Sequence, residues 1–331
     1  MAESLGRVAA LATLDDAVVP ADAGLDAATW PIGAAMLQFP AVAPGGVSVL
    51  DAGPSYWRRQ LRRIQREGFD VVEVPSNWMP LADMDSAARK AFAEVLADVG
   101  MSVCATSMVR MSVIDPRHAD DNLAATHRGI DAAAEIGAPL ICLGLHEPLL
   151  PAQTAIPWFW TVPGPVNPPS PELRRSALRR FRELADHAAS VGVAISLEVY
   201  EGTYLGDADA SVAFLDELGH DNVGLNPDLG NLIRAQEPIE PWEAIAVKLL
   251  PLANYWHVKN YARSENPLTG TYFSTPATLP AGLIDYRKAV RFAIASGFRG
   301  AFLAENYGGD GLGVSADNAR YLRRLIADAV E

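Results

Sequence analysis

Eight times along the chain a short apolar run is followed by a longer amphipathic one, and this alternation restricts the fold more than any other feature. The runs Pro31–Phe39, Phe69–Val74, Met101–Thr106, Leu140–Leu145, Val193–Val199, Val223–Asn226, Tyr255–Val258 and Gly300–Ala304 read as strands. The segments near Tyr56–Glu67, Ser86–Ala97, Ala119–Ile136, Pro171–Ser190, Ala208–Leu218, Pro241–Leu250, Tyr286–Ser296 and Ser315–Ala329 carry helical spacing. Many helices stop at a glycine (Gly68, Gly100, Gly137, Gly192, Gly219, Gly297), the residue that accepts a left-handed cap. The next strand follows within one to three residues, as αβ connections do. Strands alternating with helices predict a parallel sheet. Eight such units predict a (β/α)8 barrel over residues 30–331, with residues 1–29 as an N-terminal extension and long loops after strands four and seven. A doubly wound open sheet would carry a Gly-rich fingerprint after its first strand, and Phe39-Pro40-Ala41 is not one.

Half of the 331 residues are apolar, enough for a large core. Asp plus Glu number 40 against 27 Lys plus Arg, and the resulting charge of −13 repels phosphate backbones, which argues against a nucleic-acid binder. Cys104 and Cys142 both lie in apolar runs, which excludes a disulfide scaffold. No apolar run approaches the ~18 residues of a membrane span. Arg7, a short Ala/Leu stretch and then Asp15 and Asp16 make a poor signal peptide, so the chain reads as cytoplasmic.

In a barrel, chemistry gathers where strands end at their C-termini. The second strand ends near Glu73 and the fourth at His146-Glu147. The fifth ends at Glu198, the sixth at Asp228, the seventh at His257 and the eighth at Glu305, spaced 30, 29 and 48 residues apart. Each acid alone fits a solvated loop residue or a helix N-cap. Four equivalent strand ends together predict a cation site, because three inward carboxylates repel without one. Oxygen ligands with one imidazole suit Mn2+, and Mg2+ or Co2+, better than a structural zinc site.

His146 is either a core histidine or a general base. Lys259 shares a face with His257 two residues earlier, and either steadies an enolate oxygen or pairs with a carboxylate. Glu73 has no partner legible in the sequence. The segment Gly308-Gly309-Asp310-Gly311-Leu312-Gly313 stands where barrels often bind phosphate, but it contains Asp310 and no basic residue, which favours a connector. The long loop at 147–170 holds Trp158, Phe159 and Trp160, suited either to stacking on a ring substrate or to a subunit interface. The loop at 261–284, with Tyr272 and Phe273, is a lid or a partner contact.

The quartet Glu198, Asp228, His257 and Glu305 resembles the xylose-isomerase-like TIM-barrel superfamily of sugar isomerases and epimerases, over roughly residues 31–330. The resemblance implies that these four hold a divalent metal and that Glu198 and Glu305 also shuttle protons. It implies substrate contact at Arg263, six residues after the family histidine. Ketose epimerases usually carry a histidine where Asn231 stands and often a glutamate where Tyr204 stands. Many relatives read His-x-Lys-Asp where this chain reads His257-Val258-Lys259-Asn260. The metal cradle is therefore intact, while the sugar-holding shell keeps Arg263 but is altered at Asn231 and Tyr204, with Trp160 added from the loop, which speaks against free-ketose epimerisation.

The altered shell, the aromatic loops and the extension are similar to the larger subunit of C-glycoside deglycosidases. That resemblance implies a Mn2+-dependent lyase that eliminates an aromatic aglycone from a 3-keto C-glycoside, with His146 as base and a small β-rich partner subunit. The alternatives are a free-sugar isomerase or epimerase, an inosose-dehydratase-like enzyme, and a non-catalytic sugar-binding or scaffold subunit.

Overall fold

The computed structural model describes residues 13–19, 26–37 and 39–330. Eight parallel strands form the barrel: β1 (Ile32–Ala34), β2 (Val71–Pro75), β3 (Ser102–Met108), β4 (Leu140–Leu143), β5 (Ala194–Glu198), β6 (Val223–Asn226), β7 (Trp256–Val258) and β8 (Phe302–Ala304). The ladder runs β6-β5-β4-β3-β2-β1-β8-β7. Between β6 and β7 closure passes through a single Leu225–Ala253 bridge. The Asn226 Oδ1 also accepts the backbone N–H of His257 at 2.8 Å. The chain is a nearly closed (β/α)8 barrel, as the alternation predicts.

Outside the strands run α1 (Val49–Arg66), α2 (Ser86–Val99), α3 (Ala119–Glu135), α4 (Pro171–Ser190), α5 (Ala208–Leu218), α6 (Trp242–Leu249), α7 (Tyr286–Ala295) and α8 (Gly311–Val330). Gly100 after α2 and Gly219 after α5 are left-handed caps, with φ of 68° and 59°. The α1 range joins two helical stretches at a kink: Gly53 is non-helical, with φ of 71° and ψ of −175°, and the stretch after it carries the predicted segment near Tyr56–Glu67. Pro54 follows that kink and opens the second stretch, where its missing N–H costs no helical bond.

Strand parity sorts the side chains. Ile141 and Leu143 join the large core between strands and helices, whereas Leu140 and Cys142 join Ala105, Tyr255, Ala301 and Leu303 in a small apolar plug inside the barrel. Continuing that inward parity toward the strand C-termini brings Glu73, Glu198, His257 and Glu305 to one level above the plug.

Two loop expectations change. The segment after β7 is an antiparallel hairpin, Asn260–Asn266 with Thr271–Ala277, rather than an irregular loop. Residues 147–170 contain only single turns of helix and cross the barrel mouth: the Trp160 indole donates to Ser274 Oγ of that hairpin at 3.1 Å. A Cβ added at Gly308 after β8 would lie 2.5 Å from Trp158, so only glycine leaves room for that indole.

Of the N-terminal extension, residues 1–12 and 20–25 lie outside the described residues. Leu14 and Ala17 are buried in the main core. Asp15 pairs with Lys288 of α7 at 2.8 Å. Among the described residues, no helix is long and apolar enough to cross a membrane.

Candidate metal centre

The four strand-end residues converge. Ligand atoms of Glu198, Asp228 and His257 lie within 4.8 Å of one another, all buried. The His257 Nδ1 stands 3.7 Å from Glu198 Oε2, 4.0 Å from Asp228 Oδ2 and 3.4 Å from Glu305 Oε2. Asp228 occupies the N-cap position of the short helix Leu229–Ile233, yet its side chain makes no capping bond. The N-cap explanation for this acid therefore fails.

Each group is aimed by a neighbour. Glu73 accepts the Nε2 proton of His257 at 2.5 Å, and also accepts from Tyr255 Oη and Ser107 Oγ at 2.5 Å each. A carboxylate is acceptor-only, so this contact puts the imidazole proton on Nε2 and turns the Nδ1 lone pair toward the acids. Asn231 donates to Glu198 Oε1 and to the Val199 carbonyl, both at 3.0 Å. Lys259 Nζ pairs with Asp228 Oδ2 at 2.6 Å and Glu305 Oε2 at 3.0 Å. A Cβ at Gly230 would meet Lys259 Cγ at 2.5 Å, which is why glycine follows the aspartate so closely.

Burial pushes the Glu198 carboxyl up to about 7, against the attraction of His257. Burial also raises Asp228, against Lys259. At Glu305 burial is outweighed by Lys259 and His257, which hold that carboxyl well below its usual range. Burial opposes the charging of His257, but Glu73 and Glu305 outweigh it and raise its pKa.

The residues fit a divalent cation. Asp228 Oδ1 and His257 Nδ1 are both buried without a hydrogen-bond partner. Unpartnered polar atoms beside a cluster of acids are what a cation satisfies, in place of the proton that the acids otherwise draw onto His257. Lys259 neutralises the Asp228–Glu305 edge and leaves the face shared by Glu198, Asp228 and His257.

Across the cavity, His146 is buried and neither ring nitrogen has a partner. Its ring lies 3.8 Å, centroid to centroid, from that of Tyr200. Gly144 permits this fold-back, since a Cβ there would lie 3.0 Å from both His146 Nε2 and the Val109 carbonyl. Burial, then the charges of Arg110, Arg234 and Lys259, hold the imidazole pKa well below 6.5. His146 is neutral, with one free lone pair and one unpaired N–H.

Two chambers meet at this wall. One, of about 150 Å³, is lined by Glu73, Glu198, His257 and Glu305. The other, of about 280 Å³, is lined by Trp160, Gln153, Glu147, Glu201, Gln236 and residues of the 161–167 loop. Arg110, His146 and Tyr200 border both. Arg110 donates to Tyr200 Oη at 2.9 Å and to the Glu147 carbonyl at 3.0 Å.

Three residues expected in the sugar shell stand elsewhere. Arg263 is turned away, donating to the carbonyls of Ile233, Ala235 and Glu237 and pairing with Glu265. It fastens the hairpin to the segment after the Leu229–Ile233 helix. Tyr204 donates its hydroxyl to the carbonyls of Pro168 and Ser170 and closes the 147–170 loop. Asn231 holds a metal-site carboxylate. Trp160 alone of the four lines a chamber. The Gly308–Gly313 segment is a helix start: Asp310 Oδ1 accepts from the Gly313 N–H at 3.2 Å. Sequence reading missed the partner of Glu73, the Arg110–Tyr200 contact and the buried Arg234, which pairs with Glu201 at 2.7 Å.

The model of the xylose isomerase-like TIM barrel family matches residues 61–325. The chain belongs to that family. A solved xylose isomerase-like TIM barrel protein from Mycobacterium smegmatis, in complex with magnesium, is 42% identical, with a TM-score of 0.88 over 93% of this chain and 100% of that one. A ketose 3-epimerase of Arthrobacter globiformis is 26% identical over 174 residues, which is 52% of this chain and 55% of the relative, so the match spans about half of that protein. The 3-keto-D-glucoside 4-epimerase from E. coli shares the fold at 15% identity, with a TM-score of 0.62 over 89% of this chain and 100% of that one. Within this xylose isomerase-like barrel, β5 to β8 supply the cradle and β4 supplies the histidine opposite it.

Proposed function

We propose that the protein is a divalent-metal-dependent enzyme of the sugar isomerase and epimerase type that abstracts a proton next to the carbonyl of a keto-sugar. One observation carries this reading: the convergent Glu198, Asp228, His257 and Glu305 face a neutral His146 whose ring nitrogens have no partner. Glu198, Asp228 and His257 Nδ1 would hold the cation, with Glu305 beside them. A bound divalent cation supplies Lewis acidity toward the substrate's oxygens. The donor set suits Mn2+, and the relative in complex with magnesium supports a hard cation of this class. His146 takes the proton, and its low pKa keeps it in the base form. Lys259 places positive charge at the rim where negative charge develops.

The finer reading is elimination of an aromatic aglycone from a 3-keto C-glycoside, acting with a small β-rich partner subunit. The second chamber beside His146, with Trp160 in its wall, favours a substrate larger than one sugar ring. The experiment combines the protein and Mn2+ with a 3-keto C-glucosyl flavonoid, with and without a β-rich partner supplied in trans. Free ketoses are run in parallel in D2O and followed by NMR. Aglycone release supports elimination, and deuterium entry beside the carbonyl of a free ketose supports epimerisation. A purified protein that does neither and retains no divalent metal overturns the reading.

A further inference from the structure

On the outer ring of helices, outside the strand-end site, two histidines face each other. His127 of α3 and His187 of α4 approach to 2.7 Å between their Nδ1 atoms. Their outer nitrogens are each bound by a carboxylate from the opposite helix. His127 Nε2 stands 3.0 Å from Glu183 of α4, and His187 Nε2 stands 2.9 Å from Asp131 of α3. The arrangement is reciprocal: each helix contributes one histidine and one acid, four residues apart, on the same face.

Proton counting makes this contact unusual. An ionised carboxylate only accepts, so Glu183 and Asp131 require the proton of each ring to sit on Nε2. A neutral imidazole has one N–H, so both Nδ1 atoms then carry lone pairs and point at each other. Two lone pairs at 2.7 Å repel unless a cation stands between them. A metal-ligating histidine has the same outer arrangement, with its far N–H given to a carboxylate. Both side chains are partly open to solvent, at 29% and 24%, so an ion can enter.

We propose that His127 and His187 form a second metal site, a surface bridge between α3 and α4 for a borderline divalent transition ion of the Zn2+, Ni2+ or Cu2+ class. The two Nδ1 atoms are its protein ligands and water completes the shell. Binding displaces any shared proton to solvent. Tetrahedral bonds of about 2.0 Å need the nitrogens about 3.3 Å apart, a small outward rotation of two surface side chains. Two imidazoles select ions softer than those suited to the acid-rich interior site.

The proposal does not depend on the sugar chemistry, and its test uses no activity. Cu2+ is titrated into the full-length protein and followed by electron paramagnetic resonance. The interior cradle offers one imidazole, that of His257, so a signal split by two equivalent nitrogens that depends on both His127 and His187 reports the surface pair. The wild type is expected to show it, and His187→Gln and His127→Gln are each expected to lose it while the one-nitrogen signal remains. Asp131→Asn is expected to keep the fold and weaken that binding about ten- to a hundredfold. Absence of the two-nitrogen signal in the wild type, or its persistence at unchanged affinity in His187→Gln, overturns the proposal.

Discussion

Glu73 at the end of β2 and His257 at the end of β7 are 184 residues apart in sequence and share a 2.5 Å hydrogen bond inside the barrel. The bond decides which imidazole nitrogen faces the carboxylates. Tyr255 and Ser107 fix the same carboxylate, so its oxygens have little freedom to turn. Glu73→Gln offers an amide N–H to Nε2 and favours the wrong tautomer. The variant is expected to fold and to bind Mn2+ about ten- to a hundredfold more weakly, measured by calorimetric titration. Unchanged affinity would mean that His257 keeps its orientation without Glu73.

Asp228 gives a sharper test of the cation. Neither of its oxygens makes a hydrogen bond, and its charge is countered by Lys259 at 2.6 Å and, more distantly, by His257 at 4.0 Å. Asp228→Asn keeps the shape and removes the charge, and Glu198→Gln does the same at β5. Each is expected to leave the purified protein depleted of divalent metal by elemental analysis and without activity. His257→Ala is expected to behave alike. Retained metal in all three would sink the centre as drawn.

The fold was legible because parallel strands and amphipathic helices have different periods, and glycine marks the helix ends. The cradle was legible because parity carries every second strand residue inward: once His257 is placed, Lys259 and the plug follow. What was hidden depends on contacts across the barrel. Glu73 ends its strand as the other acids do, but its partner lies five strands along the chain. The hairpin after β7 is exposed or half-buried for most of its length, so it lacks the apolar alternation that marks a core strand. Arg263 lies on that hairpin, and its register turns the guanidinium away from the chambers.

That orientation carries its own prediction. The Arg263 side chain is 1% exposed and donates to three backbone carbonyls. Arg263→Ala strands those carbonyls and is expected to cost about 3 kcal/mol. For a chain of this size that is a fall of roughly 4 °C in Tm, read by calorimetry. KM for the active substrate is expected to change little once the variant is assayed well below its Tm. A large rise in KM with Tm unchanged would restore the substrate contact that the sequence suggested.

His146 joins the proposed chemistry to pH. Its folded pKa is held below the 6.5 of a free imidazole, chiefly by burial and then by Arg110 and Arg234. Between those two values the unfolded chain takes up a proton that the folded chain refuses. The contribution is therefore fully present above about pH 6.5 and is lost as pH falls toward the folded value. Wild-type Tm is expected to drop more steeply than that of His146→Gln between about pH 7.5 and 5.5, since glutamine removes this component. At neutral pH the same variant is expected to retain its metal, because His146 is not among the cradle residues, and to lose about 10²- to 10⁴-fold in kcat as a missing general base does. Equal pH slopes would show that the ring is not buried as a neutral group, and full activity would move the base to another residue.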